Sequence, residues 1–81
     1  MMMKTPTHGT VVRTIDGKTH SAIWTVDGYA PTDLLYVAGQ GDLAGLTETT
    51  QLGGSLPEQL VGQMLRELVK RNADRGASQE G

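Results

Sequence analysis

The segment that decides the fold is Ser55-Leu-Pro-Glu-Gln-Leu-Val-Gly-Gln-Met-Leu-Arg-Glu-Leu-Val-Lys-Arg-Asn72. Its apolar residues recur at intervals of three and four, which is the pattern of an amphipathic helix. They are Leu60, Val61, Met64, Leu65, Leu68 and Val69. At about 100° per residue they cover an arc of roughly 180°, wider than the stripe of an ordinary surface helix. The helix is therefore predicted to pack against a large apolar surface.

The same segment carries signals for where the helix begins. Ser55 and Glu58 have the spacing of a capping box, and Pro57 falls in the first turn, where it costs no hydrogen bond. Gly62 lies at the edge of the apolar arc, at a cost of about 1 kcal/mol relative to Ala. Two explanations remain open. Another backbone segment approaches Gly62 closely, or glycine arose there by neutral drift at a position that tolerates it.

Upstream of the helix, two strands and a tight turn are predicted. Gly9–Ile15 is rich in β-branched residues and Lys18–Val26 follows it, with Asp16-Gly17 as the hairpin turn between them. Whether the turn has two residues or three stays open. In the second strand Ala22, Trp24 and Val26 share one face by the two-residue period, and that face is predicted to be core.

Two more strands complete the pattern. Leu34–Ala38 is almost continuously apolar, which favours a central strand covered on both faces, and Leu46–Leu52 is polar enough for a sheet edge. Gly39–Gly45 is read as the loop between them. Its glycines superficially match a dinucleotide-binding loop, but strand sequence follows where that motif needs a helix.

The predicted fold is thus α+β: an antiparallel three- to four-stranded β-meander with one C-terminal amphipathic helix packed on one face (ββββα). The domain spans residues 9–72, with a flexible arm at 1–8 and a disordered tail at 73–81. One helix covers only one face of such a sheet. The other face would expose Ile23, Thr10 or Val11, and part of the third strand, which favours a homodimer or another protein partner.

Composition narrows the class of protein. The chain has 81 residues and no cysteine, so it has no disulfide framework and no thiolate metal site, which suits a cytoplasmic location. No stretch approaches the ~20 apolar residues of a membrane span. Met1–Lys4 is not followed by an apolar run, so no signal peptide is expected.

Charge is unevenly distributed. The net charge is −2, and no Lys or Arg occurs between Lys18 and Arg66. This middle stretch is either an ordinary solvated surface or an acidic face that meets a basic partner. On the second reading, the predicted partner-binding residues are Asp27, Tyr29, Asp33, Asp42 and Glu48.

No pattern in the chain predicts catalysis. His8 and His20 lack further ligands at metal-site spacing, and Ser21 and His20, as strand neighbours, point to opposite faces. No metal, no cofactor and no enzymatic activity are therefore predicted. Nucleic-acid binding is an alternative, through the basic end of the helix at Arg66, Lys70, Arg71 and Arg75. Cations there also simply complement the helix dipole.

Three segments of the chain support a resemblance to known small proteins. They are the turn Asp16-Gly-Lys18, the stretch Trp24-Thr-Val-Asp-Gly28 and the helix entry Thr49-Thr-Gln-Leu-Gly-Gly-Ser-Leu-Pro-Glu58. Together, over residues 9–72, the chain resembles small uncharacterised bacterial and prophage proteins of meander-plus-helix type. The resemblance implies the fold and no functional residue. In size and charge the chain is also similar to acidic phage inhibitors of host defence, anti-CRISPR proteins among them.

These observations lead to one hypothesis and two alternatives. The leading hypothesis is a non-enzymatic protein-binding accessory module of bacterial or phage origin, homodimeric, acting through surface complementarity. The first alternative is a phage-type inhibitor of a host protein, and the second is a nucleic-acid-binding accessory protein.

Overall fold

The structure, a computed structural model, describes the backbone of residues 7–80 and the side chains of residues 7–75. Most of the predicted N-terminal arm, residues 1–6, lies outside this range. The predicted arm extends one residue too far towards the C-terminus, because the first strand begins at His8. The Thr7 carbonyl already accepts the Val26 N–H at 2.9 Å.

Four antiparallel strands form one open sheet, and one helix follows them. The strands are β1 (His8–Ile15), β2 (Lys18–Val26), β3 (Leu34–Gly39) and β4 (Thr47–Gln51), in the spatial order β1-β2-β3-β4. The helix α1 spans Pro57–Glu80. The predicted ββββα meander is confirmed, with β4 at an edge of the sheet as expected.

The first hairpin closes with a two-residue turn, which determines the register that the sequence left open. Asp16 and Gly17 have φ values of 53° and 81°, and Ile15 pairs directly with Lys18. Positive φ at both central residues is the turn geometry that matches strand twist. Val11 is consequently paired with Ala22 on the helix side of the sheet, and Thr10 and Val12 lie on the opposite side.

The core lies between α1 and one face of the sheet. Ala22, Trp24 and Val26 are all buried there, as predicted. Trp24 lies directly over the backbone of its partner Gly9, where an added Cβ would lie 2.8 Å from the indole Nε1. The complete set of buried apolar residues is Val11, Ala22, Trp24, Val26, Leu35, Val37, Leu43, Leu52, Val61, Met64, Leu65 and Leu68.

Two expectations about the middle of the chain were wrong. β3 is not covered on both faces, because Leu34 and Tyr36 are exposed on the side away from α1. The β3–β4 connection is not a plain loop, because it contains a 3-10 turn at Gly41–Leu43. Leu43 from this turn is fully buried, and a Cβ on Gly39 would collide with the Leu43 carbonyl.

The helix also begins and ends differently from the prediction. Pro57 is the first helical residue, so the N-cap is Leu56, and the Gln59 side chain accepts the Leu56 N–H at 2.8 Å. The capping frame is therefore one residue later than the predicted Ser55–Glu58 pair. At its other end α1 continues through Ala73 to Glu80, where a disordered tail was predicted.

Candidate protein-interaction surfaces

The face of the sheet opposite α1, here called the open face, has no charged side chain in the described residues. Directly paired residues of an antiparallel sheet share a face, so the pairing register identifies its members. They are His8, Thr10, Val12, Thr14, Thr19, Ser21, Ile23, Thr25, Leu34, Tyr36, Ala38, Thr47, Thr49 and Gln51. None of them is Asp, Glu, Lys or Arg.

Large apolar side chains stand exposed on this open face. Val12, Ile23, Leu34 and Tyr36 keep between 44% and 51% of their surface accessible. Isolated exposed apolar residues are common, but four on one uncharged sheet face form a patch of the kind that marks interaction sites.

A second concave surface, here called the groove, lies between the edge strand β4 and α1. Its volume is about 240 Å³. The strand side contributes Glu48, Thr49 and Thr50, and the helix side contributes Leu60, Gln63, Met64 and Glu67. The helical residues are spaced three and four apart, so they lie on one face of α1.

Arg71 of α1 binds β4 beside the groove. Its Nη1 donates to the Thr47 carbonyl at 2.9 Å, and its Nη2 lies 2.7 Å from Glu48 Oε1. The ion pair neutralises Glu48, whereas Glu67 has no ion-pair partner among the described residues. The groove thus keeps one uncommitted carboxylate.

At the hairpin end of the sheet, Asp42 joins two basic side chains. Lys18 Nζ lies 3.1 Å from Asp42 Oδ2, and the buried His20 places its Nδ1 3.4 Å from the same oxygen without a hydrogen bond. The hydrogen bond from Lys18 is the main reason that the pKa of Asp42 lies below its ordinary value. Partial desolvation opposes this shift, and the positive charge of Lys18 reinforces it, as does that of His20 when the imidazole is protonated.

The five predicted partner-binding residues do not form one surface. Asp27, Tyr29 and Asp33 lie in the β2–β3 connection, Asp42 lies at the opposite end of the sheet, and Glu48 lies in β4. Both Asp42 and Glu48 are engaged by cations of this chain. Asp33 holds its own loop, because its Oδ2 accepts the Ala30 N–H at 2.9 Å.

Tyr29 is half-buried and packs against the edge of the core. Burial raises the pKa of its hydroxyl, and the nearby Glu58 carboxylate raises it further by disfavouring a second negative charge. A tyrosine hydroxyl is neutral at physiological pH in any case, and this shift acts in the same direction.

The basic residues at the end of α1 are also divided. Arg71 is bound to β4, and Arg75 Nη2 donates to Asn72 Oδ1 at 2.9 Å. Arg66 and Lys70 are exposed and have no ion-pair partner in the described part of the chain. Arg71 is thus the one of these four residues whose charge is paired within the described part of the chain, and the hydrogen bond to the neutral Asn72 amide leaves the charge of Arg75 in place.

Sequence reasoning named neither the uncharged open face as a whole nor the groove. The strands do carry a usable signal, since Thr and Ser alternate with core residues along β1 and β2. The groove has none, because Glu48 and Glu67 meet only through the packing of α1 on β4.

Within the described residues, no three His, Asp or Glu side chains come together in a way that could hold a metal ion. No helix in that part of the chain has the length and apolar content that crossing a bilayer requires. Comparison with protein-family models, curated proteins and solved structures finds no significant match for this chain.

Proposed function

We propose that this protein is a non-enzymatic protein-binding module that forms a homodimer through its open face. The observation that carries the proposal is the combination of four exposed apolar side chains with a complete lack of charged ones on that face. Titratable groups elsewhere are dispersed or paired with each other, which supports a binding role over a catalytic one.

A second copy of the chain is the occupant that the charges favour. The chain carries a net charge of −2, so two copies repel each other weakly at long range. In a two-fold symmetric interface the same patch meets itself, and like charges in that patch would oppose association. The open face brings no charge to such an interface.

The area of the open face is sufficient for a modest dimer. Four strands spaced about 4.8 Å apart, each about seven residues long, give a flat area of roughly 440 Å². Because projecting side chains add to the flat area, two such faces in contact would bury accessible surface on the order of 1,000 Å² in total. This is near the lower bound for specific interfaces. Tyr36 lies near the middle of the face, and Tyr is one of the residue types enriched among the anchors of protein interfaces.

The test is the oligomeric state by sedimentation velocity across a concentration series. We expect a dimer for the natural sequence and a dissociation constant raised more than tenfold by Ile23→Lys, which buries an unpaired charge. Leu56→Lys is the matched control, since Leu56 is also an exposed large apolar residue but lies at the start of the helix. A monomer at every concentration, or equal effects of both variants, would refute the proposal.

The phage-type inhibitor belongs to the same class of protein, because it too acts by binding a protein without chemistry. Within this class the open face holds the dimer together. The groove and the exposed loops would then remain available for another protein.

A further inference from the structure

We propose that the groove between β4 and α1 binds an extended peptide segment that carries a Lys or Arg side chain. This inference rests on the proposed protein-binding function and names the chemistry of the partner. The partner would add a fifth strand to the sheet at β4 and place its cation beside Glu67.

The first argument is the free edge of β4. Gly39 donates to the Leu46 carbonyl, and Leu52 donates to the Asp33 carbonyl, at the two ends of the β3–β4 ladder. Hydrogen-bonded and non-hydrogen-bonded pairs alternate in an antiparallel ladder. With the observed register, Glu48 and Thr50 bond to β3, so Thr47, Thr49 and Gln51 direct their backbone groups outward.

The second argument is the position of the groove beside that edge. Glu48 and Thr50 project to the same side as the core, towards α1, so a strand added at Thr49 would direct alternate side chains into the groove. Leu60 and Met64 give the groove an apolar floor. Backbone hydrogen bonds then supply affinity and the groove selects side chains, as in other cases of strand addition.

The third argument is charge. The residues that line the groove include Glu48 and Glu67 and no Lys or Arg. Arg71 neutralises Glu48, so the remaining negative charge is that of Glu67, at the exposed rim. A Lys or Arg on the added strand can lay its aliphatic stem along Met64 and bring its charge to this carboxylate.

Arg71 also limits where a strand can be added. Its bond to the Thr47 carbonyl occupies the outward acceptor at one end of β4. The outward groups of Thr49 and Gln51 remain, which is enough for a short segment of about three to four residues. The site therefore fits a short linear motif better than a long strand of another sheet.

The experiment is a titration of the ¹⁵N-labelled full chain, followed by amide chemical shifts. The probes are two pools of seven-residue peptides with mixed Val, Thr, Ile and Leu positions. One pool has a central Lys and the other a central Glu. We expect the Lys pool to shift the amides of Thr49 and Gln51, and to bind about tenfold more tightly than the Glu pool.

Two variants separate the groove from general electrostatics. Glu67→Lys should abolish the preference for the Lys pool, whereas Glu58→Lys makes the same charge change on the same helix outside the groove and should preserve it. Absence of Thr49 and Gln51 shifts at millimolar Lys pool would overturn the proposal. Equal effects of the two variants would overturn it as well.

The same spectra keep this inference distinct from the proposed dimer. Dimerisation through the open face predicts shifts at Ile23 and Tyr36 when the protein is diluted without peptide. If the dilution shifts occur at Ile23 and Tyr36 while the peptide pools cause no shifts in β4, the groove proposal is refuted and the dimer proposal is supported. Dilution shifts confined to Thr49 and Gln51 would show that a second copy occupies the edge, which contradicts both proposals.

Discussion

Gly62→Ala and Gly39→Ala make the same chemical change and should alter stability in opposite directions. Gly62 lies inside α1, where Ala is favoured over Gly by about 1 kcal/mol. A Cβ at this position would lie 3.4 Å from Arg13 Nε and 3.5 Å from Nη2. These are van der Waals contacts with the end of a flexible side chain, so they do not cancel the gain.

At Gly39 the added methyl group meets backbone. The new Cβ would collide with the Leu43 carbonyl, so the 3-10 turn would have to move away from β3. Leu43 is fully buried, and moving it disturbs the core. Overpacking of this kind typically costs about 1–3 kcal/mol.

The assay is urea unfolding followed by far-UV circular dichroism, together with thermal melting. Gly62→Ala should raise the melting temperature by about 4–8 °C, since about 1 kcal/mol has that effect in a domain of this size. Gly39→Ala should lower it by at least as much. A destabilised Gly62→Ala protein would mean that Arg13 cannot move, and a neutral Gly39→Ala would mean that the turn is not packed as described.

Three further predictions follow from local contacts. Leu43→Ala should lower the free energy of unfolding by about 2–5 kcal/mol in urea titrations. A loss below about 1 kcal/mol would mean that the 3-10 turn is not packed against the core. Gln59→Ala should lower the free energy of unfolding by about 0.5–1 kcal/mol, whereas Ser55→Ala should leave it nearly unchanged. A larger loss from Ser55→Ala than from Gln59→Ala would mean that Ser55 and Glu58 cap the helix instead. Because the folded state lowers the pKa of Asp42, its contribution is present above pH ~4 and is lost on further acidification. The free energy of unfolding of the Asp42→Asn variant should therefore fall less between pH 5 and about pH 2 than that of the natural protein. Equal decreases in the two proteins would contradict the contact between Asp42 and Lys18.

The parts of the fold that the sequence predicted are those with local causes. β2 was placed correctly at both ends, because Asp16-Gly17 and Asp27-Gly28 bracket an alternating run. The apolar arc of α1 is a property of the helix alone. The cap was displaced by one residue because Ser55–Glu58 and Leu56–Gln59 offer overlapping frames, and only the geometry around Pro57 distinguishes them.

The features that sequence reasoning missed depend on contacts between distant segments. A continuous apolar strand such as β3 has the same composition whether one face or both are covered, so the sequence did not decide which of its residues would be exposed, and these are Leu34 and Tyr36. The burial of Leu43 depends on the space left by Gly39. The pairing of Glu48 with Arg71 depends on how α1 crosses the sheet. The dispersal of the predicted acidic residues follows from the meander, which places Asp42 and the β2–β3 connection at opposite ends of the sheet.

The position of Trp24 over Gly9 gives this protein a built-in reporter. It is the single tryptophan of the chain, and it lies against the backbone of an edge strand. Edge strands open more readily than the strands between them. The wavelength of indole emission should therefore register the detachment of β1 before the core behind it is exposed to solvent. A fluorescence transition that precedes the loss of circular-dichroism signal would identify β1 as the first element to separate.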